Sequence, residues 1–300
     1  MAFLTFPMKL LDGKALSLEL IDSAKEETAH LKPKLCVILV GDNPASLTYI
    51  RNKRIACERA GIVYEERRFI KSISQEKLIQ EIEKVNQDSE INGLIVQLPL
   101  PEAIDVPSVI RAIDPAKDVD GFQAANLGKT MLGPDFEDLP PATALGVMKL
   151  LDHYGIVLQG KEVVVVGNSN IAGKPITVMM MNRNATVTNC NIFTPDLAKL
   201  TQRADILISA TGKPKLITAD MVKKDAVVVD VGYSRNEEGK ACGDVDFENV
   251  KKKASFITPV PGGIGPMTVA ALILNTLNAT RLQKHPDQKR AKGTTYSTFA

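Results

Sequence analysis

Tyr49 and Lys53 stand four residues apart in a stretch whose apolar positions recur at helical spacing, so both side chains leave one face of a helix. A lysine beside an apolar cleft loses part of the solvation of its ammonium. Its pKa then falls toward neutrality, where it can take or give a proton. The ordinary reading of the pair, an exposed helix lysine beside a packed aromatic ring, stands next to this one. Gln97 belongs to a short apolar run over 93–98, and Asp118 and Asp120 lie in the loop 114–122. For the glutamine the plain alternative is a strand-end amide bonded to backbone. For the aspartates it is turn chemistry, which Asp-Gly suits well.

A second constellation begins at Val163. Four valines lead into Gly167, Asn168, Ser169, Asn170, Ile171, Ala172 and Gly173, followed by Lys174 and Pro175: a buried strand, a glycine-bounded turn and a helix start. The unsatisfied N–H groups of a helix start and the positive end of its dipole suit a phosphate. The turn is not G-x-G-x-x-G, because Ser169 stands where the second glycine belongs, and alone it leaves an ordinary βα turn open. Ser209-Ala210-Thr211-Gly212, Val231-Gly232 and the run from Thr258 to Gly263 each follow a strand with small residues that let a ligand approach the backbone, so together they line one cleft. The end of the second strand, Asn189 to Phe193, offers neither the acidic residue of an NAD site nor the cation of an NADP site. Lys174 and Arg183 are nearby cations that read equally well as solvated helix residues.

The elements that must position these groups alternate along the chain, as in βαβ units with a mostly parallel sheet. Strands are read at 35–40, 63–70, 93–98, 162–166, 185–190, 204–209, 226–231 and 256–258, and helices at 46–60, 75–86, 143–154, 175–181 and 267–277. The Gly/Pro-rich acidic passage 114–141 reads as a link. The fold class is α/β, with two three-layer lobes and an active-site cleft between them. The first lobe is residues 1–140, completed by a C-terminal helix at 267–283. The second, Rossmann-type lobe is residues 141–266, and 284–300 is a flexible tail. A Tyr-x-x-x-Lys pair also occurs in short-chain dehydrogenases, but there the glycine loop comes first, and here it comes more than a hundred residues later.

Composition narrows the partner. The chain has 300 residues with 44% hydrophobic and 24% charged, and its 37 Lys and Arg against 35 Asp and Glu leave a formal charge of +2 without basic blocks. That excludes a disordered chain and gives no electrostatic footprint for nucleic acid or an anionic membrane, so a small molecule is expected. The four cysteines show no C-x-x-C spacing and the three histidines are far apart, which argues against a metal site or a disulfide framework. The longest uncharged run, 256–280, is broken by prolines and glycines in its first half, and the N-terminus lacks a secretory pattern, so the expected location is the cytoplasm. Aromatic residues make up 5% of the chain and Trp is absent, so a flat ligand finds few rings to stack on.

Four stretches in order now carry a resemblance: Val40-Gly41-Asp42-Asn43-Pro44-Ala45-Ser46 running on to Tyr49 and Lys53; Gly93 to Pro101; Lys117-Asp118-Val119-Asp120-Gly121-Phe122; and Pro259-Val260-Pro261-Gly262-Gly263-Ile264-Gly265-Pro266-Met267-Thr268. The ensemble resembles the bifunctional methylenetetrahydrofolate dehydrogenase/methenyltetrahydrofolate cyclohydrolase family of one-carbon metabolism. The resemblance implies a folate in the first lobe, NADP on the second, and a homodimer through the second lobe. Lys53 is then the proton-handling residue of the hydrolytic step, tuned by Gln97. Tyr49 stacks on the folate, Asp120 bonds the pterin, and Leu98, Pro261, Gly262 and Gly263 complete the substrate site. Gly167, Asn168, Ser169, Ile171, Gly173, Ser209, Thr211, Gly232 and Thr268 bind the cofactor, and no metal takes part. The family usually has Arg where this chain has Asn168, so NAD becomes possible beside NADP. Two rival readings are a two-lobe dehydrogenase of another small acid, of shikimate type, and a non-catalytic nucleotide or folate sensor.

Overall fold

The computed structural model describes residues 8–235 and 238–285. Its strands in chain order are β1 (Lys9–Leu10), β2 (Lys34–Val40), β3 (Val63–Phe69), β4 (Gly93–Val96), β5 (Glu162–Val166), β6 (Thr186–Cys190), β7 (Ile206–Ser209), β8 (Val227–Asp230), β9 (Ser234–Arg235), β10 (Ala241–Cys242) and β11 (Phe256–Ile257). The described residues form two compact units, one of 19–142 with 269–285, the other of 8–18 with 143–268. The tail expected at 284–300 lies outside the described residues beyond 285.

The unit holding residues 19–142 is built on a three-stranded parallel sheet in the order β3-β2-β4. Cys36, Ile38 and Val40 leave the central strand on one face and pack with Leu78, Ile82, Val85 and Val109 from helices Gln75–Gln87 and Val106–Ala112. The opposite face carries Leu35, where a Cβ on neighbouring Gly93 would come within 3.4 Å of Thr276 in the last helix, Ile264–Lys284. Helix Pro44–Ala60 follows the central strand, and helix Gln75–Gln87 is started by Ser74, whose hydroxyl accepts the Lys77 N–H at 3.2 Å. The passage 114–141 differs from its reading as a link: it belongs to this unit and contains helix Ala124–Leu132. Its buried side shows Asn126 and Thr130, while its apolar residues Met131 and Leu132 are exposed, so the apolar spacing does not point to the core face.

The other unit carries a six-stranded parallel sheet in the order β1-β11-β8-β7-β5-β6, with β9 and β10 forming a separate antiparallel pair. The valines of β5 and the whole of β7 and β8 are buried, as expected of strands covered on both faces, while edge strand β6 is only partly covered. Each fully buried valine contributes about 1.5–3 kcal/mol, which makes such a run a strong organiser of the sheet. The boundary at residue 1 differs from the reading. Residues 8–18 join this unit because β1 pairs with β11 in parallel, and the Leu11 N–H reaches the Ile257 carbonyl at 2.9 Å. A two-residue edge strand carries no periodic pattern, so the sequence does not announce it.

Candidate active site

In the unit of the three-stranded sheet, the strand order reverses at β2, and the crevice outside the carboxyl ends of β2 and β4 is where such sheets bind ligands. Gln97 sits there, held in line by its N–H on the Ile38 carbonyl at 2.9 Å. Lys53 reaches it from helix Pro44–Ala60: the Lys53 Nζ donates to Gln97 Oε1 at 3.0 Å, and both side chains are at least nine-tenths buried. The other end of the Gln97 amide, Nε2, donates to the Leu98 carbonyl at 2.7 Å, so the orientation of Oε1 toward the lysine is fixed. Ser46 Oγ donates to the same carbonyl at 3.5 Å, tying the start of the lysine helix to the strand end.

Burial lowers the Lys53 pKa from its ordinary value, and the charge of Asp120 partly opposes the fall. Burial likewise raises the Asp120 carboxyl, with the lysine pulling it back down. The two groups are coupled, and desolvation dominates both: each is driven toward its neutral form.

The loop that presents Asp120 shows a division of labour among its residues. Lys117 Nζ donates to the carbonyls of Val85, Asn86 and Asp88 at 2.9, 2.8 and 2.7 Å, capping the end of helix Gln75–Gln87. Asp118 accepts from the N–H groups of Gly121 and Gln123 and from Asn126 Nδ2, so it is the turn former of the pair. Asn275 Nδ2 holds the carbonyls of Val119 and Pro140, both at 2.8 Å. Gly121 has φ +75°, and a Cβ there would meet the Pro141 nitrogen at 2.5 Å, so the chain can make this corner only with glycine. Tyr49 is half-buried four residues before Lys53, and Leu98 is half-buried next to Gln97.

In the other unit the strand order reverses at β5, and Gly167 follows it at the switch point with β7. Gly167 has φ +119°, and a Cβ on it would lie 2.3 Å from the Ala210 carbonyl oxygen. A Cβ on Gly173, the first residue of helix Gly173–Met181, would lie 2.0 Å from the Gly167 carbonyl oxygen. Both glycines are therefore required for the turn to close on the helix start, and the turn leaves Asn168, Ser169 and Ile171 exposed on its rim. At the helix start the Gly173 N–H reaches Ser169 Oγ at 3.5 Å and the Lys174 N–H reaches the Ser169 carbonyl at 3.0 Å, so Ser169 closes the turn on the helix.

At the strand ends, polar groups of the small residues are taken up within the fold. Ser209 is fully buried and gives its hydroxyl to Asp244 Oδ2 at 2.9 Å. The N–H of Thr211 goes to the same oxygen at 2.6 Å, and that of Gly232 goes to Asp230 Oδ1 at 3.0 Å. Ser209 and Gly232 are buried, and Thr211 is exposed at the end of the strand. Asp230 and Asp244 were not singled out in the sequence, although an aspartate closing three valines at a strand end is a visible signal. Thr268 Oγ1 bonds Ile264 O and Thr143 Oγ1 at 3.2 and 3.3 Å on the last helix. Pro261, Gly262 and Gly263 form the turn before that helix. The Gly262 carbonyl accepts the Lys14 N–H at 2.8 Å, and the Val260-Pro261 bond is cis, as is Leu98-Pro99.

Two family models cover most of the chain: the tetrahydrofolate dehydrogenase/cyclohydrolase catalytic domain over residues 11–120 and its NAD(P)-binding domain over residues 141–284. The bifunctional protein FolD of Nautilia profundicola is 51% identical over 279 residues, covering 91% of this chain and 98% of its own. The crystal structure of the bifunctional methylenetetrahydrofolate dehydrogenase/cyclohydrolase FolD from Campylobacter jejuni is 47% identical with a TM-score of 0.89, covering 91% of this chain and 99% of its own. The Trypanosoma brucei enzyme, solved complexed with NADP cofactor and inhibitor, is 34% identical with a TM-score of 0.89, covering 94% and 100%. These matches set aside a dehydrogenase of shikimate type. With both halves matched in order, this chain belongs to the tetrahydrofolate dehydrogenase/cyclohydrolase family, with an α/β catalytic domain followed by an NAD(P)-binding domain.

Proposed function

We propose that this chain oxidises 5,10-methylenetetrahydrofolate to the methenyl form and hydrolyses that product to 10-formyltetrahydrofolate. The observation that carries the reading is the Lys53–Gln97 hydrogen bond at the carboxyl end of a parallel sheet, with Asp120 coupled to the same lysine.

In the hydrolytic step, neutral Lys53 takes a proton from water as the oxygen adds to the methenyl carbon. The resulting ammonium returns that proton to the departing ring nitrogen as the carbon–nitrogen bond breaks, and the hydroxyl proton is released as the formyl group forms. A buried amine of lowered pKa suits both transfers. Gln97 accepts from Nζ and keeps it aimed in either protonation state. Asp120 bonds the pterin and moderates the lysine's pKa, and Tyr49 stacks on the flat rings. Leu98 belongs to the same site beside Gln97, and the turn of Pro261, Gly262 and Gly263 is the substrate surface of the NAD(P)-binding unit.

When bound, NADP would supply the hydride acceptor for the methylene carbon. The two nitrogens flanking that carbon stabilise the developing cation, so the protein's contribution is orientation more than proton transfer. Gly167 and Gly173 shape the turn for the pyrophosphate, Asn168, Ser169 and Ile171 form its rim, Thr211 and Thr268 belong to the strand-end and helix surface offered to the nucleotide, and Ser209 and Gly232 are buried behind it.

The active form is a homodimer through the NAD(P)-binding unit, acting in the cytoplasm. Mass in solution and cell fractionation test these two points. Among the described residues no helix is long and apolar enough to cross a membrane.

The deciding experiment is a pair of assays, dehydrogenation of methylenetetrahydrofolate with NADP and hydrolysis of methenyltetrahydrofolate, on the native chain and on Lys53→Met. Loss of hydrolysis with retained NADP binding is expected. Full hydrolytic turnover in the variant overturns the assignment of Lys53.

A further inference from the structure

The carboxyl edge of the six-stranded sheet is stitched by a continuous polar chain. Thr258, just past β11, accepts the Asp230 N–H on Oγ1 at 2.7 Å. Asp230, the last residue of β8, accepts the N–H of Asp244 on Oδ1 at 3.0 Å and that of Val245 on Oδ2 at 2.9 Å. Asp244 accepts the Ser209 hydroxyl and the Thr211 N–H at the end of β7. The Ala210 N–H then reaches the Val166 carbonyl of β5 at 2.8 Å, beside the Gly167 turn. Four neighbouring strands, β11, β8, β7 and β5, are thus joined in sequence at the edge where a dinucleotide binds.

The chain is costly in ways a merely structural link could avoid. Asp244 is fully buried, and its second oxygen, Oδ1, has no hydrogen-bond partner. Burying a carboxylate and leaving one oxygen unsatisfied is unfavourable, and an apolar residue would serve packing alone better. The surroundings are also shaped to the two carboxylates: a Cβ on Gly232 would lie 2.0 Å from Asp244 Oδ1, and a Cβ on Gly243 would lie 2.0 Å from Asp230 Oδ2.

We propose that Asp244 is a positioning residue for the dehydrogenase reaction: held by Asp230, its carboxylate fixes the Ser209–Gly212 strand end in the shape that receives the dinucleotide. The inference rests on the reading of that strand end as cofactor surface. Asp244 touches no reacting atom, so its loss acts on the nucleotide's binding and leaves hydrolysis by the Lys53 site in place.

The test uses the full chain with Asp244→Asn, Asp230→Asn, Gly243→Ala and Thr211→Trp, measuring kcat and KM for NADP in dehydrogenation, NADP binding by calorimetry, and methenyl hydrolysis. Asp244→Asn is expected to raise the NADP KM and Kd at least tenfold, with kcat recovered at saturating NADP and hydrolysis within threefold of native. Gly243→Ala and Asp230→Asn shift the same constants in the same direction, and they decide the matter if Asp244→Asn does not fold. Thr211→Trp obstructs the strand end directly. If it leaves NADP binding unchanged, the cofactor reading of this edge fails and the proposal with it. If Thr211→Trp weakens NADP but the other variants stay within twofold of native, the positioning role of Asp244 alone is wrong. Equal loss of both activities across the variants assigns the carboxylates to folding and also overturns it.

Discussion

Lys53 and Gln97, 44 residues apart in the chain, meet through a 3.0 Å hydrogen bond whose acceptor is fixed by a second bond from the same amide to the Leu98 carbonyl. Among the described residues the lysine thus has an oriented amide acceptor and no carboxylate in direct hydrogen bond, an arrangement that holds Nζ in place without forcing it to stay charged. Replacing Lys53 by Met should lower hydrolytic turnover about 10²–10⁴-fold, the usual worth of a positioned acid or base. Gln97→Leu should lower it less, because the amine survives and only its aim is lost. Steady-state hydrolysis of methenyltetrahydrofolate reads both, and a larger loss for Gln97→Leu than for Lys53→Met would contradict the roles.

Asp120 gives the pH dependence of the same site. Its negative charge favours the ammonium form and so holds the Lys53 pKa up against burial. Asp120→Asn removes that attraction, the Lys53 pKa falls further, and the neutral amine persists to lower pH. The acidic limb of the hydrolysis profile should therefore move toward lower pH in the variant. A shift toward higher pH would contradict the assigned coupling.

Tyr49 is the aromatic residue that the Lys53 helix turns toward the same side as the lysine, in a chain with no Trp. Stacking is worth about 0.5–1.5 kcal/mol beyond the area buried, so most folate recognition falls to hydrogen bonds and to aliphatic walls such as Leu98 and Leu100. Tyr49→Ala should raise the folate KM about tenfold, more than any other single aromatic deletion, with Tyr49→Phe close to native. Substrate titrations across the aromatic variants provide the ranking.

The helix that carries Lys53, the strand leading into Gln97 and the glycine turn after β5 are all readable in the sequence, because helical periodicity, buried apolar runs and Gly/Pro punctuation are local signals. The helix Ala124–Leu132 is not, since its inward side is Asn126 and Thr130, and Asn126 is satisfied by Asp118 and the Pro115 carbonyl, partners supplied by the fold. Strand β1 is too short to show a period. The roles of Asp118 and Asp120 are indistinguishable in a motif where they sit two apart, and only the hydrogen bonds of Asp118 separate turn former from site residue. Asp230 and Asp244 need the strand order of the sheet before their link has a meaning.

Asn168 stands on the exposed rim of the glycine turn. It lacks the positive charge and the paired N–H donors with which an arginine meets a 2′-phosphate, a contact worth about 1.5–3 kcal/mol. The native chain should discriminate weakly between NADP and NAD, and Asn168→Arg should raise its NADP preference roughly 10- to 100-fold. Initial rates with the two cofactors side by side measure it. A strong NADP preference in the native chain would show that another group supplies the missing charge.

The Asp230 carboxyl links stability to pH in the NAD(P)-binding unit. Burial, its largest cause, and the neighbouring Asp244 charge push its pKa up from 3.8 to about 7. A carboxyl whose pKa is higher folded than unfolded binds more protons in the native state between those two values. Its stabilising contribution is therefore complete below pH 3.8 and is lost as pH rises through about 7. The swing is on the order of 4 kcal/mol at most, at 1.36 kcal/mol per pH unit over the interval. Asp230→Asn cannot titrate. It gives up acceptor capacity toward Asp244 and Val245 and is less stable than native at every pH, but that penalty is constant. Urea unfolding at pH 5, 6.5 and 8 should show native stability falling more steeply with pH than that of the variant. Parallel pH slopes for the two proteins would mean that Asp230 is ionised throughout, and that the hydrogen bonds from Gly232, Asp244 and Val245 outweigh its burial.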